Sequence, residues 1–355
     1  MDVGLIGLPQ SGKTTIFNLL TGQQAQVNAF GGGKVQSRRA LAAIPDRRLD
    51  RLAALYRPRK VTAAQLTVVD VPGLGHSEAG GPNRFLQDVR QVDALIHVVR
   101  GFPSALAEAP HPLADLQEME LELGLSDLDL LEKRRERIAA GRKVTHEQQV
   151  ELALVTRLLA ALEDGRRLDQ ETLTEDETRF LRGYQFLTLK PMIWVVNLDD
   201  QALQRGDFPD QAKIVALGKA QGIPVVLMAG VLEEEIEALA AEDRAAFMTE
   251  LGLSESGLAR VAQATYERLG LMSFLTAGED EVRAWTISRG MVAKQAAGRI
   301  HSDIERGFIR AEVVAFSDLD QAGSLAKARE QGRVRLEGKD YVMHDGDVVN
   351  FRFNV

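Results

Sequence analysis

The sequence contains no cysteine, so neither a disulfide nor a thiolate metal site can form in this chain. This absence fits a reducing compartment, and we expect a cytoplasmic protein. The start of the chain lacks a basic segment followed by an apolar one, which argues against a signal peptide. No apolar run approaches the length needed to span a bilayer. Acidic residues outnumber basic ones, and the net charge of -8 argues against a protein that simply coats nucleic acid.

The remaining composition is that of an ordinary globular protein, with 45% hydrophobic and 26% charged residues. A chain of 355 residues is longer than one hydrophobic core usually supports, so two or three structural units are expected. We expect a monomer with no membrane partner.

The most informative feature is a glycine-rich segment near the start. Residues 7–14 read GLPQSGKT, a complete G-x-x-x-x-G-K-[ST] phosphate-binding pattern. An apolar run at residues 3–6 precedes it, and a helical pattern ended by Gly22 follows it. A strand that leads through such a loop into a helix directs main-chain N–H groups and the positive end of the helix dipole at one phosphate. The predicted nucleotide-binding residues of this loop are Gly7, Pro9, Gln10, Ser11, Gly12, Lys13, Thr14 and Thr15.

Four further apolar runs are typical of strands covered on both faces, because they are continuous rather than alternating. They occupy residues 66–69, 94–99, 192–196 and 224–228. Helical patterns lie between them, for example at residues 211–221. The predicted fold class is therefore α/β, with a parallel, doubly wound sheet.

A long polar stretch at about residues 113–186 interrupts this alternation. Apolar residues recur there at helical spacing, and Thr174 with Glu177 forms a capping box that opens a further helix. We interpret the stretch as an inserted antiparallel helical arm. Ordinary crossover helices are the alternative, but the stretch is too long for one crossover.

The pattern changes again from about Ser273. Residues 281–287 and 333–336 alternate as half-exposed strands do, and residues 341–343 and 348–353 flank an HDGD turn that predicts a hairpin. The predicted domains are a nucleotide-binding domain at residues 1–272, which contains the helical insertion, and a small α+β module at residues 273–355.

A second motif points to a molecular switch rather than to another kind of phosphate-loop protein. Residues 70–73 read DVPG, directly after the predicted strand at residues 66–69. An aspartate at the end of a neighbouring strand can hold Mg²⁺, and a glycine three residues later lets its N–H reach the γ-phosphate. Thr14 and Asp70 are therefore the predicted metal ligands, and Lys13, Asp70 and Gly73 are the predicted catalytic residues.

A third motif stands where guanine-reading NTPases carry N-K-x-D. Residues 197–200 read NLDD at the end of the predicted strand at residues 192–196, so Leu198 replaces the lysine and Asp200 keeps the place of the aspartate. With Ala229 after the next strand, Asn197, Leu198 and Asp200 are predicted to bind the base. A polar turn is the alternative interpretation.

Together these residues resemble the YchF / Obg-like ATPase family of ribosome-associated P-loop NTPases over nearly the whole chain. The most specific matches read EVRAWTI, QAAG, IHSD, GFIRAEV and FRFNV, at residues 281–287, 295–298, 300–303, 307–313 and 351–355. The resemblance implies a Ras-like domain, a coiled-coil arm and a C-terminal TGS domain of the ubiquitin-like β-grasp type. It also implies a preference for ATP over GTP, Mg²⁺ dependence and association with the ribosome.

Several positions bear on how far that family pattern carries over. Lys34 occupies the place of a first-switch threonine that coordinates Mg²⁺ in the family. Leu74 stands where many GTPases carry a water-orienting glutamine, which the family also lacks. The loop that holds the family's histidine is shortened here. His76 and His111 are the candidates to orient the attacking water, with no catalytic role as the alternative. Asp200 replaces a glutamate of the family, which leaves ATP against GTP open.

These observations predict a slow ATPase, alternatively a GTPase, that switches conformation on hydrolysis and acts at the ribosome. A degenerate switch that binds nucleotide with little or no hydrolysis is the second hypothesis, and Lys34 and the shortened loop favour it. A small-molecule kinase is disfavoured, because nothing resembles an acceptor site.

A basic segment is the candidate contact with ribosomal RNA, together with the TGS domain. A solvated helix face is the alternative interpretation of this segment. Its cations are Arg38, Arg39, Arg47, Arg48, Arg51, Arg57, Arg59 and Lys60.

Overall fold

The computed structural model describes residues 1–23, 38–71, 81–104, 108–141, 145–253 and 255–354. Contacts between residues divide the chain into two units. Residues 1–40 and 67–261 form the first unit, and residues 41–66 and 262–355 form the second. Within the described ranges, no helix is both long enough and apolar enough to cross a bilayer.

The strands are numbered in chain order. They are β1 (Asp2–Ile6), β2 (Arg38–Ala43), β3 (Lys60–Thr62), β4 (Gln65–Asp70), β5 (Ala94–Arg100), β6 (Met192–Asn197), β7 (Val225–Met228), β8 (Leu271–Ala277), β9 (Glu281–Ser288), β10 (Phe308–Ala315), β11 (Arg335–Glu337) and β12 (Asp347–Phe353).

The helices are numbered in the same way. They are α1 (Lys13–Thr21), α2 (Arg47–Tyr56), α3 (Gly81–Arg90), α4 (Pro112–Ala139), α5 (His146–Glu163), α6 (Glu175–Leu181), α7 (Asp200–Arg205), α8 (Gln211–Gln221), α9 (Gly230–Ala238), α10 (Ala241–Glu250), α11 (Gly257–Arg268), α12 (Ala293–Ile300), α13 (Ser302–Arg306), α14 (Phe316–Ala322) and α15 (Leu325–Glu330).

A six-stranded sheet has the order β2-β4-β1-β5-β6-β7. β1 pairs in parallel with β4 and β5, β5 pairs in parallel with β6, and β6 with β7. The middle strands are buried on both faces, as their continuous apolar sequences predict. The doubly wound α/β sheet is therefore confirmed, and the carboxyl ends of β1, β4 and β6 meet at one edge.

The hydrophobic core beneath this edge joins strands and helices of the first unit. Trp194 of β6 and Leu95 of β5 lie in one buried cluster with Phe85 of α3 and Met119 of α4. The sheet is consequently packed on the face that carries α3 and the first half of α4, and these two helices are fixed to the strands by apolar contact.

The predicted helical arm is present as two long helices that pack together. Leu131 of α4 shares a second core cluster with Leu154 and Leu158 of α5. The predicted capping box also forms: the Thr174 hydroxyl accepts from the Glu177 N–H, and the Glu177 carboxylate accepts from the Thr174 N–H. The short helix α6 therefore begins where the sequence indicated.

A second six-stranded sheet has the order β11-β10-β12-β8-β9-β3. β12 pairs antiparallel with β10 and in parallel with β8. β3 comes from the N-terminal part of the sequence, yet it pairs in parallel with β9, with Val61 opposite Val282. The second unit therefore completes its sheet with a strand that lies between the phosphate loop and the DVPG motif in the sequence.

The hairpin predicted across residues 341–353 is wrong. Val342 forms an isolated antiparallel bridge with Val292, while β12 pairs with β10 and β8. The buried carboxylate of Asp347 accepts from the Tyr341 hydroxyl at 3.0 Å and from the His344 N–H at 2.9 Å. Because β10 and β8 occupy the two edges of β12, residues 341–343 cannot pair with it and contact Val292 instead.

Candidate nucleotide site

The loop between β1 and α1 requires two of its glycines. Gly7 has φ +148°, and a Cβ there would lie 2.2 Å from the Val98 carbonyl oxygen. Gly12 has φ +93°, and a Cβ there would lie 2.2 Å from Asn197 Nδ2. Both positions combine a left-handed backbone with close packing, which only glycine tolerates. Pro9 and Gln10 stand exposed at the tip of the loop.

Lys13 lies almost buried across the mouth of the loop, with 9% of its surface exposed. Its Nζ donates to the Gly7 and Leu8 carbonyl oxygens, at 2.8 Å each. Burial lowers the pKa of Lys13 to about 8, although the negative charge of Asp70 opposes that change. A buried ammonium held only by neutral carbonyls favours any anion that can reach it.

The start of α1 supplies further donors. Its N-cap is Gly12, which has no side chain to satisfy the first N–H groups of the helix. The Ser11 hydroxyl is buried and has no hydrogen-bond partner among the described residues. Main-chain donors, a hydroxyl and an ammonium therefore converge where a phosphate is expected.

Thr14 and Asp70 meet beside this anion site. The Thr14 hydroxyl lies 3.5 Å from Asp70 Oδ2, because β4 runs next to β1 and ends at Asp70. Burial raises the pKa of Asp70, while Lys13, Arg38 and Thr14 lower it. A hydroxyl and a carboxylate suit Mg²⁺, which takes only one or two protein ligands and fills its sphere with phosphate oxygens and water. The described residues contain no group of three or more histidine, aspartate or glutamate side chains placed to hold a metal ion.

Asn197 joins three parts of the site. Its Nδ2 donates to the Ser11 carbonyl oxygen at 3.2 Å, and its Oδ1 accepts from the Gly230 N–H at 2.9 Å. A Cβ at Gly230 would also lie 3.2 Å from Thr15 Cγ2. The amide therefore fixes the phosphate loop to the turn that begins α9, and it brings Ala229, the N-cap of α9, next to the loop.

The two other predicted base-binding residues lie at the start of α7. Leu198 is 3% exposed and packs in the core, and its N–H donates to the Met228 carbonyl oxygen at 2.7 Å. The Leu198 side chain is therefore part of the core. Asp199 caps α7 by accepting from the Ala202 N–H, so Asp200, the first residue of the helix, is partly exposed and not used as the cap.

Some predicted residues lie outside the described ranges. Gly73, Lys34, Leu74 and His76 are all among them. His111 is described: it is exposed, and it stands at the N-cap of α4 without a capping hydrogen bond from its side chain.

The sequence interpretation missed one buried polar residue near the site. His97 of β5 is fully buried, and neither ring nitrogen has a partner among the described residues. Burial lowers the pKa of His97 to about 3, and the charges of Lys13 and Arg167 contribute to this shift. A histidine within a continuous apolar strand was the available signal. The ring is neutral at physiological pH, which lets it lie within the same electrostatic environment as Lys13.

Curated relatives match this chain along its length. It is similar to the Ribosome-binding ATPase YchF of Bacillus subtilis (strain 168), with 38% identity over 364 residues and 100% of both chains covered. The protein of the same name from Escherichia coli O157:H7 is 38% identical and covers 99% of both chains. The Obg-like ATPase 1 of Oryza sativa subsp. japonica is 33% identical, with 100% of this chain and 92% of that protein covered.

Family descriptions and a solved structure agree with these relatives. Residues 2–128 match a family described as 50S ribosome-binding GTPase, and residues 271–354 match the YchF-GTPase_C family, described as a protein of unknown function. The Schizosaccharomyces pombe YchF GTPase structure superimposes with a TM-score of 0.86 and 29% identity, covering 99% of this chain and 97% of that one. The fold is therefore that of a Ras-like P-loop NTPase with the helical arm and C-terminal module described above.

Proposed function

Because this chain belongs to the YchF family, we propose that it is a ribosome-associated NTPase that binds and slowly hydrolyses ATP as a conformational switch. The observation that carries the proposal is the buried ammonium of Lys13, held by two carbonyl oxygens beside Thr14 and Asp70. Such an arrangement favours the binding of an anion of high charge, and a triphosphate fits the pattern of donors around it.

The reaction would proceed by positioning and charge stabilisation. Lys13 would exchange its two carbonyl partners for oxygens of the β- and γ-phosphates, while the N–H groups at the start of α1 hold the β-phosphate. Thr14 and Asp70 would hold Mg²⁺, which when bound neutralises charge on the phosphates. Gly73 is proposed to donate its N–H to the γ-phosphate. Without a glutamine at Leu74, we expect slow turnover that a partner raises.

Base selection is proposed to rest on the turn after β6 and the turn before α9. The Asn197 side chain joins the phosphate loop to the turn before α9. Leu198 and Asp200 lie on the turn after β6, and Ala229 lies on the turn before α9. We propose ATP as the substrate, with GTP as the alternative, because an aspartate at position 200 also suits the N1 and N2 groups of guanine.

Calorimetric titration decides these points. Non-hydrolysable ATP and GTP analogues are titrated into the protein with Mg²⁺, and Lys13→Ala serves as the control that removes the ammonium. Binding of the ATP analogue that Lys13→Ala abolishes supports the proposal. No heat with either analogue would contradict nucleotide binding altogether.

Phosphate release separates a working switch from a degenerate one. We expect slow release from ATP by the protein alone and faster release with purified ribosomes. Asp70→Asn, which keeps the size but removes the metal-binding charge, is expected to reduce release in both assays. Measurable binding with release at background, with and without ribosomes, would select the scaffold that scarcely hydrolyses nucleotide.

The ribosome is the proposed partner, and the basic segment is a proposed contact with ribosomal RNA. Several of its cations already have carboxylate neighbours: Arg39 pairs with Asp2, Arg48 with Asp46 and Asp345, Arg51 with Asp320, Arg59 with Asp280, and Lys60 with Glu281. The most exposed of these pairs, such as Arg59 with Asp280, cost little free energy to break when a phosphate replaces the carboxylate.

Replacing Arg51, Arg57 and Arg59 with alanine should flatten the salt dependence of ribosome binding. An unchanged salt dependence would favour the alternative interpretation, in which the basic segment is a solvated helix face.

The remaining parts of the proposal concern organisation and location. We propose a monomer in the cytoplasm, with an NTPase domain at residues 1–272, a helical insertion at about residues 113–186 and a TGS domain at residues 273–355. Size determination in solution by light scattering tests the monomer directly.

A further inference from the structure

Helix α3 follows the DVPG motif, and its last residue makes a polar contact with the root of the arm. We define the arm root as residues 120–127 of α4 together with residues 167–169 and residues 185–190, the last of which lead into β6. Arg90 Nη1 donates to Asp127 Oδ1 at 3.0 Å and to the Gln185 carbonyl oxygen at 3.2 Å. Arg90 Nη2 donates to the Ser126 hydroxyl at 2.7 Å and to its carbonyl oxygen at 3.2 Å. One guanidinium therefore donates hydrogen bonds to two segments of the root, residues 126–127 and the segment that begins at Gln185.

Asp127 is the centre of this contact. Its side chain is fully buried, and it accepts from the Leu187 N–H at 3.0 Å and from the Thr188 N–H and hydroxyl at 2.8 Å each. Three donors of the root thus hold the carboxylate in place before Arg90 is considered. The carboxylate can still accept a hydrogen bond, and its fixed orientation directs that bond to Arg90 of α3.

A second contact runs in the opposite sense, from the root to the backbone of α3. Lys190 Nζ donates to the Arg90 carbonyl oxygen at 2.9 Å and also to the Val92 carbonyl oxygen. A cation is favoured at this point, because the last carbonyls of a helix lack intrahelical partners and carry the negative end of its dipole. The end of α3 is therefore held through a side chain and through its main chain.

Apolar packing alone would already attach α3 to the arm. Val89 of α3 lies in one core cluster with Leu116, Met119 and Leu123 of α4. A buried ion pair adds little stability to such a contact, since desolvation offsets much of the attraction, but its directional hydrogen bonds favour one arrangement of the two helices. The polar contact therefore defines position more than it adds strength.

We propose that Arg90 is a positioning residue that couples the triphosphate site to the helical arm. β4 ends at Asp70 in the nucleotide site, and the chain then leads through the DVPG motif into α3. A displacement of α3 that follows the γ-phosphate is passed by Arg90 and Lys190 to the arm root, so that the arm changes its direction with nucleotide state. This inference rests on the proposed function, because it needs a triphosphate at Lys13.

The absence of cysteine makes a distance measurement straightforward. Spin labels are attached at Gln149→Cys, which is exposed on α5, and at Lys219→Cys, which is exposed on α8. Distance distributions between the two labels are recorded for full-length protein without nucleotide, with Mg²⁺ and ADP, and with Mg²⁺ and a non-hydrolysable ATP analogue. We expect the ATP analogue to shift the mean distance, and Arg90→Met to remove most of that shift.

Two further variants give the test its controls. Arg157→Met removes an arginine of the same size whose Nη2 pairs with Glu177 within the arm, at 2.8 Å, and it should keep the full shift. Arg90→Lys keeps the positive charge but loses the planar guanidinium, so it should restore part of the distance shift. If Arg90→Met does not fold, Arg90→Lys replaces it in the measurement. Calorimetry on the labelled protein confirms that nucleotide is bound.

Each outcome has one meaning. No nucleotide binding by the parent protein overturns the proposed function and this inference with it. Nucleotide binding without a shift in the parent protein overturns the coupling alone. A full shift in both Arg90→Met and Arg90→Lys overturns the role of Arg90, because a purely structural residue would change stability and leave the response to nucleotide intact.

Discussion

The phosphate loop and the arm root each bury a cation, but they treat it in opposite ways. Lys13 is 9% exposed and Arg167 is 3% exposed. Lys13 donates only to two main-chain carbonyls, whereas Arg167 donates to Glu120 at 2.8 Å and to Asp169 at 3.1 Å. Burial lowers the pKa of Lys13 to about 8. Burial acts in the same direction on Arg167, yet its two carboxylates raise the pKa above the ordinary value.

The two buried cations therefore differ in whether the protein itself supplies carboxylate partners: Arg167 has two, whereas Lys13 bonds to carbonyl oxygens. The loop keeps the Lys13 ammonium out of water and gives it carbonyl rather than carboxylate hydrogen-bond partners, which costs stability until an anion binds. The arm root supplies both charges and all main-chain acceptors itself, including the Thr188 and Lys190 carbonyl oxygens. Burial of a charge therefore indicates function only together with the partners that neutralise it.

The largest expected effect falls on the arm root. Arg167→Leu leaves Glu120 and Asp169 without their cation, and we expect unfolding free energy to drop by about 3–5 kcal/mol. Chemical denaturation measures that loss, while titration with the ATP analogue should give nearly unchanged affinity in the folded fraction. A loss below 1 kcal/mol (about the value for an exposed pair) would break the comparison.

Lys13→Met should have the opposite balance. We expect affinity for a triphosphate to fall about 100-fold, or about 2.7 kcal/mol, since the main charge-assisted donor is lost. Stability without nucleotide should instead rise by about 1 kcal/mol, because roughly 3 kcal/mol of relieved charge burial exceeds two lost hydrogen bonds at about 1 kcal/mol each. Calorimetry and denaturation of the same variant test both signs. A lower unfolding free energy of the nucleotide-free variant would show that the buried ammonium does not destabilise the protein.

Nucleotide affinity should also depend on pH through Lys13. In the free protein its pKa is about 8, so the amine loses its proton as pH rises through that value, and binding a triphosphate must then take a proton up. Affinity should fall about tenfold between pH 7 and pH 9. Titrations in two buffers of different ionisation enthalpy measure the proton uptake. Lys13→Met, which lacks the titrating amine, is the control, and an equally steep decline in that variant would exclude Lys13 as the cause.

The smallest effect is expected at an exposed ion pair of the arm. The Arg157 and Glu177 side chains are 43% and 25% exposed, so solvent screens their attraction. Arg157→Leu should cost at most about 0.5 kcal/mol of unfolding free energy. Denaturation of this variant beside Arg167→Leu places two arginine–carboxylate contacts of the same arm on one scale, and similar losses would mean that burial does not decide their strength.

Local sequence patterns were sufficient for the loop and for five of the six strands of the first sheet, whereas β2, which alternates buried and exposed residues, was not predicted. The five predicted strands are continuous apolar runs, Gly22 ends α1 in a left-handed conformation, and Thr174 forms its capping box. These features depend on neighbours in the sequence, so their signals are local. The contacts between Lys13 and the carbonyl oxygens could not be predicted in the same way, although the residue itself was.

Contacts between distant parts of the chain were harder to predict. β3 has three residues and an exposed pattern, so its pairing with β9 leaves no periodic signal. The predicted hairpin was wrong because β10 and β8 pair with both edges of β12, and pairing between distant segments leaves no signal in the turn sequence. Arg90 and Asp127 meet across 37 positions of sequence, and no local pattern marks either residue. His97 was visible only as a polar residue in an apolar strand.

The pairing of β3 with β9 has a consequence for the synthesis of the protein. More than two hundred residues separate Thr62 from Glu281, so the early segment leaves the ribosome long before its partner strand exists. Domains that are contiguous in sequence can fold while translation continues, but this unit cannot close until its last strands emerge. In the interval Leu49 and Leu52, which are buried in the finished protein, are open to solvent and to chaperones. The nascent chain therefore carries an unfinished sheet through most of its elongation.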